Sequence, residues 1–208
     1  MERRLRYTLL TDGSSDRSLI HIIDWSIEQQ PGNWLPEGTW ADRYRFADVG
    51  HDLAERAAFA WEQYPTDLLI IHRDAEKEEA AVRRAEIERA MQVHPNIPHL
   101  PLVIKPMLEA WLLGDEQAIR VASGNPNGKG KLALPGAKKW ESLPDPKHLL
   151  EEQIKIASGR RKRALKKLHL PHAKLLVAEN TENFQHLRQL EAFRWWEQAL
   201  VKWLEQKG

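Results

Sequence analysis

Cysteine is absent from the 208 residues. That excludes disulfides, thiolate metal sites and a cysteine nucleophile, and leaves His, Asp and Glu as available ligands. Any metal chemistry here is therefore hard-ligand chemistry. Long hydrophobic runs are also missing: no stretch approaches the ~18 residues of a membrane span. The opening MERRLRY lacks the apolar segment of about 7–15 residues that a secretory signal needs. The expectation is a cytoplasmic chain without a membrane partner. None of the nine histidines forms an H-x-x-x-H pair, and no internal repeat or low-complexity tract is present. With 42% hydrophobic and 29% charged residues, the chain has material for one good core with an appendage.

A net charge of +1 conceals an asymmetry. Residues 128–174 hold thirteen Lys and Arg against four Asp and Glu, so this stretch carries +9 and the remainder −8. A concentrated positive segment favours a polyanion, because neutralising phosphates releases their counterions. A solvated helix face is the plainer alternative.

The first 120 or so residues alternate between strand and helix patterns. Arg4–Leu10 reads as a strand, and Ser15–Gln29 as a helix with Leu19, Ile22, Ile23 and Ile27 on one face. A loop rich in Pro, Gly and Trp follows, with Trp34 and Trp40 available to a partner protein. Arg43–Ala47 is a weak second strand and Asp52–Gln63 a helix. Asp67–His72 contains the continuous LLII of a strand covered on both faces. Glu76–Val93 reads as a charged helix with Glu79 and Arg83 at i,i+4 spacing, Leu100–Lys105 as a fourth strand, and Pro106 opens the short helix MLEAWLLG. The series predicts a parallel sheet with right-handed crossovers. From Ser123 a Gly- and Pro-rich stretch ends the sheet, and the remainder reads as helices over His148–Ser158, Arg160–Leu168 and Asn183–Gln206. The division is residues 1–123 as an α/β domain and 124–208 as a basic, helical extension packed on it.

Three motifs carry chemistry. TDGSSD follows the first strand, where Gly13 suits a tight turn and Asp12 points from the sheet edge; Asp and Ser are also ordinary capping residues. HRDAE ends the third strand, so Asp74 and Glu76 sit one residue apart where like charges repel and desolvation is costly. Something cationic should stabilise them, and such oxygen ligands suit Mg²⁺ or Mn²⁺. His72 is in position to assist, though a packed strand-end histidine explains it as well. In IKPMLEAWLLGD, Glu109 is a lone carboxylate among apolar neighbours, fit to pair with a core arginine or to join the metal cluster. Lys105 at the same strand end would neutralise a phosphate.

These motifs, in this order, resemble the Toprim fold, and more closely a Toprim-like family of unknown function related to the nuclease domains of overcoming-lysogenisation-defect proteins. The family's strand-end Glu-Gly corresponds to Asp12-Gly13, its Asp-x-Asp to Asp74-Ala75-Glu76, and its Glu-Ala-Trp-Leu-Leu-like string to LEAWLLGD around Glu109. Asp12 and Glu76 depart from the pattern by one methylene each. The resemblance covers about residues 4–123 and implies a metal-dependent nuclease. Asp12, Asp16, Asp74, Glu76 and Glu109 would be ligands to Mg²⁺ or Mn²⁺, Asp12 would share the metal or move a proton, and Lys105 would stabilise developing charge. Arg160, Arg161, Lys162, Arg163, Lys166 and Lys167 would track a DNA or RNA backbone. It further implies a partner ATPase and a role in defence against phage or mobile DNA. Two other classes stay open: a noncatalytic nucleic-acid-binding or adaptor subunit, and an Asp-based phosphotransfer domain, against which the position of Asp-x-Glu after strand three argues.

Overall fold

In the computed structural model, residues 2–42, 45, 49–64 and 66–207 are described. Four strands, β1 (Arg3–Leu10), β2 (Trp34–Trp40), β3 (Leu68–Asp74) and β4 (His99–Ile104), form one sheet in the order β2-β1-β3-β4. All three pairings are parallel. The protein is α/β, with helices flanking a parallel sheet and a helical C-terminal region.

Side chains alternate between the two faces of the sheet, and each face has its own core. Leu5, Tyr7, Leu9, Leu68, Ile70, Leu102 and Ile104 pack on one side with α1 (Leu19–Glu28) and with the helices that follow the sheet. Those are α4 (Leu108–Trp111), α5 (Glu116–Ala122), α6 (Pro146–Ser158), α7 (Lys162–Leu165), α8 (Leu170–Asn180) and α9 (Glu191–Glu205). Of these, α7 alone buries no residue. Leu10, Leu69, Ile71 and Val103 face the other way, against α2 (Leu53–Gln63) and α3 (Ala80–Met91). The first core is continuous from Leu5 to Leu204, so residues beyond 123 complete it rather than forming a second one. Each Leu or Ile sealed there contributes about 1.5–3 kcal/mol of apolar burial.

Several elements differ from the sequence expectation. The second strand is WLPEGTW, in the stretch read as a loop; the expected strand Arg43–Ala47 lies outside the described residues except for Arg45. As an edge strand, β2 tolerates Pro36, which lacks an N–H. Its Gly38 is required by close approach, since a Cβ there would collide with the buried Tyr7 hydroxyl. Trp34 and Trp40 are thus strand residues packed against the core, with Trp40 Nε1 donating to Thr11 Oγ1 at 3.1 Å. The first helix begins with a separate 3-10 turn, Ser14–Ser18, and α3 begins at Ala80, leaving Glu76 in the preceding turn. Gly13 has φ −126°, a value open to any residue, so the turn does not depend on glycine's conformational freedom. At the C-terminus α8 was not anticipated. The segment 183–206 is broken into a 3-10 turn, Gln185–Gln189, and α9, whose Phe193, Trp196, Leu200 and Leu204 are buried.

In this strand order the chain runs outward from β1 to β2 and then returns to place β3 on the other side of β1. A crevice opens beyond the carboxyl ends of β1 and β3 at such a switch point, and ligands of open α/β sheets bind there.

Candidate functional site: an acidic crevice at the switch point

The crevice is a cavity of about 110 Å³ lined by Asp12, Asp16, His72, Arg73, Asp74, Glu76 and Arg83. Its carboxylates come from three places. Asp12 follows β1, Asp16 sits in the 3-10 turn after it, and Asp74 and Glu76 end β3 and begin the turn beyond.

Asp12 is held by two arginines, accepting from Arg56 Nη1 at 3.1 Å and from Arg73 Nε at 3.2 Å. Arg73 continues to Glu86 at 3.0 Å, and Arg83 reaches the same carboxylate at 3.0 Å. Asp16 accepts from the Gly13 N–H at 3.2 Å and the Ser15 hydroxyl at 3.0 Å. Burial raises its pKa above the ordinary carboxylate value; His72 opposes this, and the charge of Asp74 reinforces it. Asp74 accepts from the Leu108 N–H at 3.1 Å, which ties β3 to the start of α4. Glu76 has φ +53°, a left-handed conformation that costs a non-glycine residue roughly 1–2 kcal/mol. Its N–H donates to the Pro106 carbonyl at 2.8 Å.

His72 is fully enclosed, its side chain 1% exposed. Nδ1 stands 2.9 Å from the Leu102 carbonyl, which can only accept, so Nδ1 carries a proton. Nε2 faces Asp74 Oδ1 at 3.5 Å, within ion-pair reach but outside hydrogen-bond geometry. The contact is a pairing of charges only when the ring is protonated. Burial pulls the His72 pKa down, yet the adjacent Asp74, the charge of Asp16 and the Leu102 carbonyl outweigh it, and the net shift is upward.

Two expected members are elsewhere. Glu109 pairs with Lys174 of α8 at 2.9 Å, and the same ammonium lies 3.4 Å from Glu151 of α6. Its partner is a lysine from the C-terminal region rather than a core arginine, and Glu109 does not line the crevice. Lys105 is bound by Glu79 at 2.7 and 2.8 Å and lines a different cleft. That contact also displaces the expected Glu79–Arg83 pair, since Arg83 has turned to Glu86. Arg160, Arg161, Lys162, Arg163, Lys166 and Lys167 are on the surface, and among the described residues none of them makes an ion pair.

The donors Asp12, Asp16, Asp74 and Glu76 are of the type a hard divalent cation takes, and the cavity has room for about three waters at ~30 Å³ each. As the side chains stand, no three His, Asp or Glu among the described residues are grouped closely enough to hold an ion. Asp12 has both oxygens on arginines. The donor types and the volume suit such an ion but the side chains as placed do not enclose one; holding it would require them to converge and Asp12 to exchange partners. Arg56, Arg73 and Arg83 were not anticipated as site residues, and His72 only as a residue able to assist. His72 and Asp74, two apart on a strand, share a face, which is the signal within HRDAE that identifies the pair.

Compared with known proteins, the chain matches no family model, no curated protein and no solved structure. Among the described residues no helix is long and apolar enough to cross a membrane.

Proposed function

We propose that the crevice binds Mg²⁺ or Mn²⁺ and hydrolyses a phosphodiester bond of nucleic acid. The observation that carries this reading is the meeting of four carboxylates from three segments in one crevice at the switch point. Within it the Asp16 carboxyl is destabilised by burial and by Asp74, an imbalance that a divalent cation removes. Asp16, Asp74 and Glu76 are the holding groups, and Asp12 joins them. The ion supplies polarisation of the phosphoryl oxygen and a water of lowered pKa. Arg56 and Arg73, which now hold Asp12, would face the phosphate if Asp12 turned to the ion, and His72 holds a proton at Nδ1 and fixes the edge of the crevice. The six surface cations between Arg160 and Lys167 follow the backbone without reading sequence. On the resemblance alone, we extend the proposal to a defence role beside an ATPase.

The test is cleavage of DNA and RNA by purified protein with Mn²⁺. Asp74→Ala should abolish it, and full activity in that variant removes the proposal. A second reading, a noncatalytic nucleic-acid-binding subunit, is favoured by the two arginines on Asp12, which neutralise it without a metal. Binding of nucleic acid with no turnover in any divalent metal would select it.

A further inference from the structure

A second, wider cleft of about 410 Å³ lies across the first turn of α3 from the crevice. Arg83 lines the crevice and its neighbour Arg84 lines the cleft, so the two open on different faces of α3. The far wall is the start of α9, where Trp195 is an exposed aromatic, 37% accessible, beside a buried Trp196. Arg84 lies 4.1 Å over the Trp195 ring.

The charges in the cleft are not balanced. Glu79 is engaged by Lys105. Glu141 caps α9, accepting from the Glu191 and Ala192 N–H groups at 3.1 and 2.7 Å. The lining thus holds Arg84, Lys105, Lys138 and Arg194 against Glu79, Glu141 and Glu191, a net of +1, and among the described residues Arg84, Lys138 and Arg194 make no ion pair. Partial burial lowers the pKa of Arg84, and the charge of Glu191 only partly compensates. Because the Glu79 carboxylate is drawn to Lys105, it makes no cap to α3, and the start of that helix at Ala80 and Ala81 opens on the same cleft. Unused cations, a helix start and an accessible aromatic are the elements of a single-stranded nucleic-acid groove, in which phosphates meet the cations and bases stack on aromatic or guanidinium planes.

We propose that this cleft binds single-stranded nucleic acid beside the crevice, phosphates on Arg84, Lys138 and Arg194 and a base on the Trp195–Arg84 stack. The substrate class rests on the function proposed above; the cleft itself does not depend on cleavage. Lys105 accordingly belongs to the binding groove.

The experiment is fluorescence anisotropy of a labelled oligothymidylate of about 12 nucleotides with the full chain in EDTA, which separates binding from turnover. Lys138→Ala/Arg194→Ala alters two surface residues without disturbing the fold. It should weaken binding about tenfold and flatten the salt dependence by roughly 0.7 for each phosphate no longer neutralised. Arg84→Gln should weaken it further, with unchanged circular dichroism. Glu109→Gln, outside both the crevice and the cleft, should bind as the parent does. Parental affinity in both cleft variants overturns the inference, as does failure of the parent to bind the oligonucleotide. Cleavage that survives Asp74→Ala while the cleft variants lose binding overturns the nuclease site and leaves the groove standing.

Discussion

The Glu109–Lys174–Glu151 cluster and the acidic crevice both gather carboxylates in a partly buried setting, and they neutralise them differently. In the first, one lysine with a side chain 10% exposed sits against two glutamates, 13% and 23% exposed, drawn from α4 and α6. The cluster ties the C-terminal helices to the segment after β4. In the crevice, Asp12 has two arginines, whereas Asp16 has a backbone N–H, a hydroxyl and a raised pKa. The contrast is between carboxylates paired with a buried lysine and a crevice in which Asp12 is paired but Asp16 meets no cation among the described residues other than the nearby His72; the proposed metal would act on the second.

The two regions should respond oppositely to substitution. Asp74→Asn keeps an oxygen for the Leu108 N–H but removes a charge from the crevice. Cleavage should fall by about a hundredfold or more, while thermal stability falls only modestly, through loss of the charge beside His72 Nε2. Lys174→Met leaves two glutamates without their cation, and loss of one partner of a buried pair costs about 3 kcal/mol. For a chain of this size that is a fall in Tm of roughly 6–12 °C, measurable by calorimetry, with any cleavage activity retained at low temperature.

Asp24 offers an intermediate case. Its carboxylate accepts from the Tyr7 hydroxyl at 2.7 Å, and burial raises its pKa from 3.8 to about 6. The folded state therefore binds this proton more tightly than the unfolded chain does. The stability it contributes is fully present below about pH 3.8 and is lost as pH rises through about 6. Asp24→Asn, which keeps an acceptor for Tyr7, should raise stability at pH 8 by about 2 kcal/mol, after discounting for partial exposure. The gain should vanish near pH 4 in denaturant titrations. The smallest effect is expected from Glu109→Gln, which keeps a hydrogen bond to Lys174 and should cost about 1 kcal/mol without touching Mn²⁺ affinity or cleavage.

The parallel sheet was legible because β1, β3 and β4 are apolar runs bounded by turn residues and helices. β2 was hidden by Pro36 and Gly38, which read as a loop, although both are explained once the strand is an edge lying over Tyr7. The crevice carboxylates were legible for a related reason: acids at the ends of buried parallel strands must share one rim. Lys105 and Glu109 were assigned to that rim because they too follow a strand. Their actual partners, Glu79 and Lys174, are 26 and 65 residues away in sequence, and no local pattern announces such a pairing. The arginines were unreadable for the same cause, since Arg56 and Arg73 reach Asp12 across 44 and 61 residues.

The most direct test is Mn²⁺ binding followed by electron paramagnetic resonance on the purified full chain, with Asp74→Asn and Glu109→Gln beside the parent. The account predicts stoichiometric Mn²⁺ in the parent and in Glu109→Gln, and its loss in Asp74→Asn. Absence of binding in the parent, or equal binding in all three proteins, would contradict it.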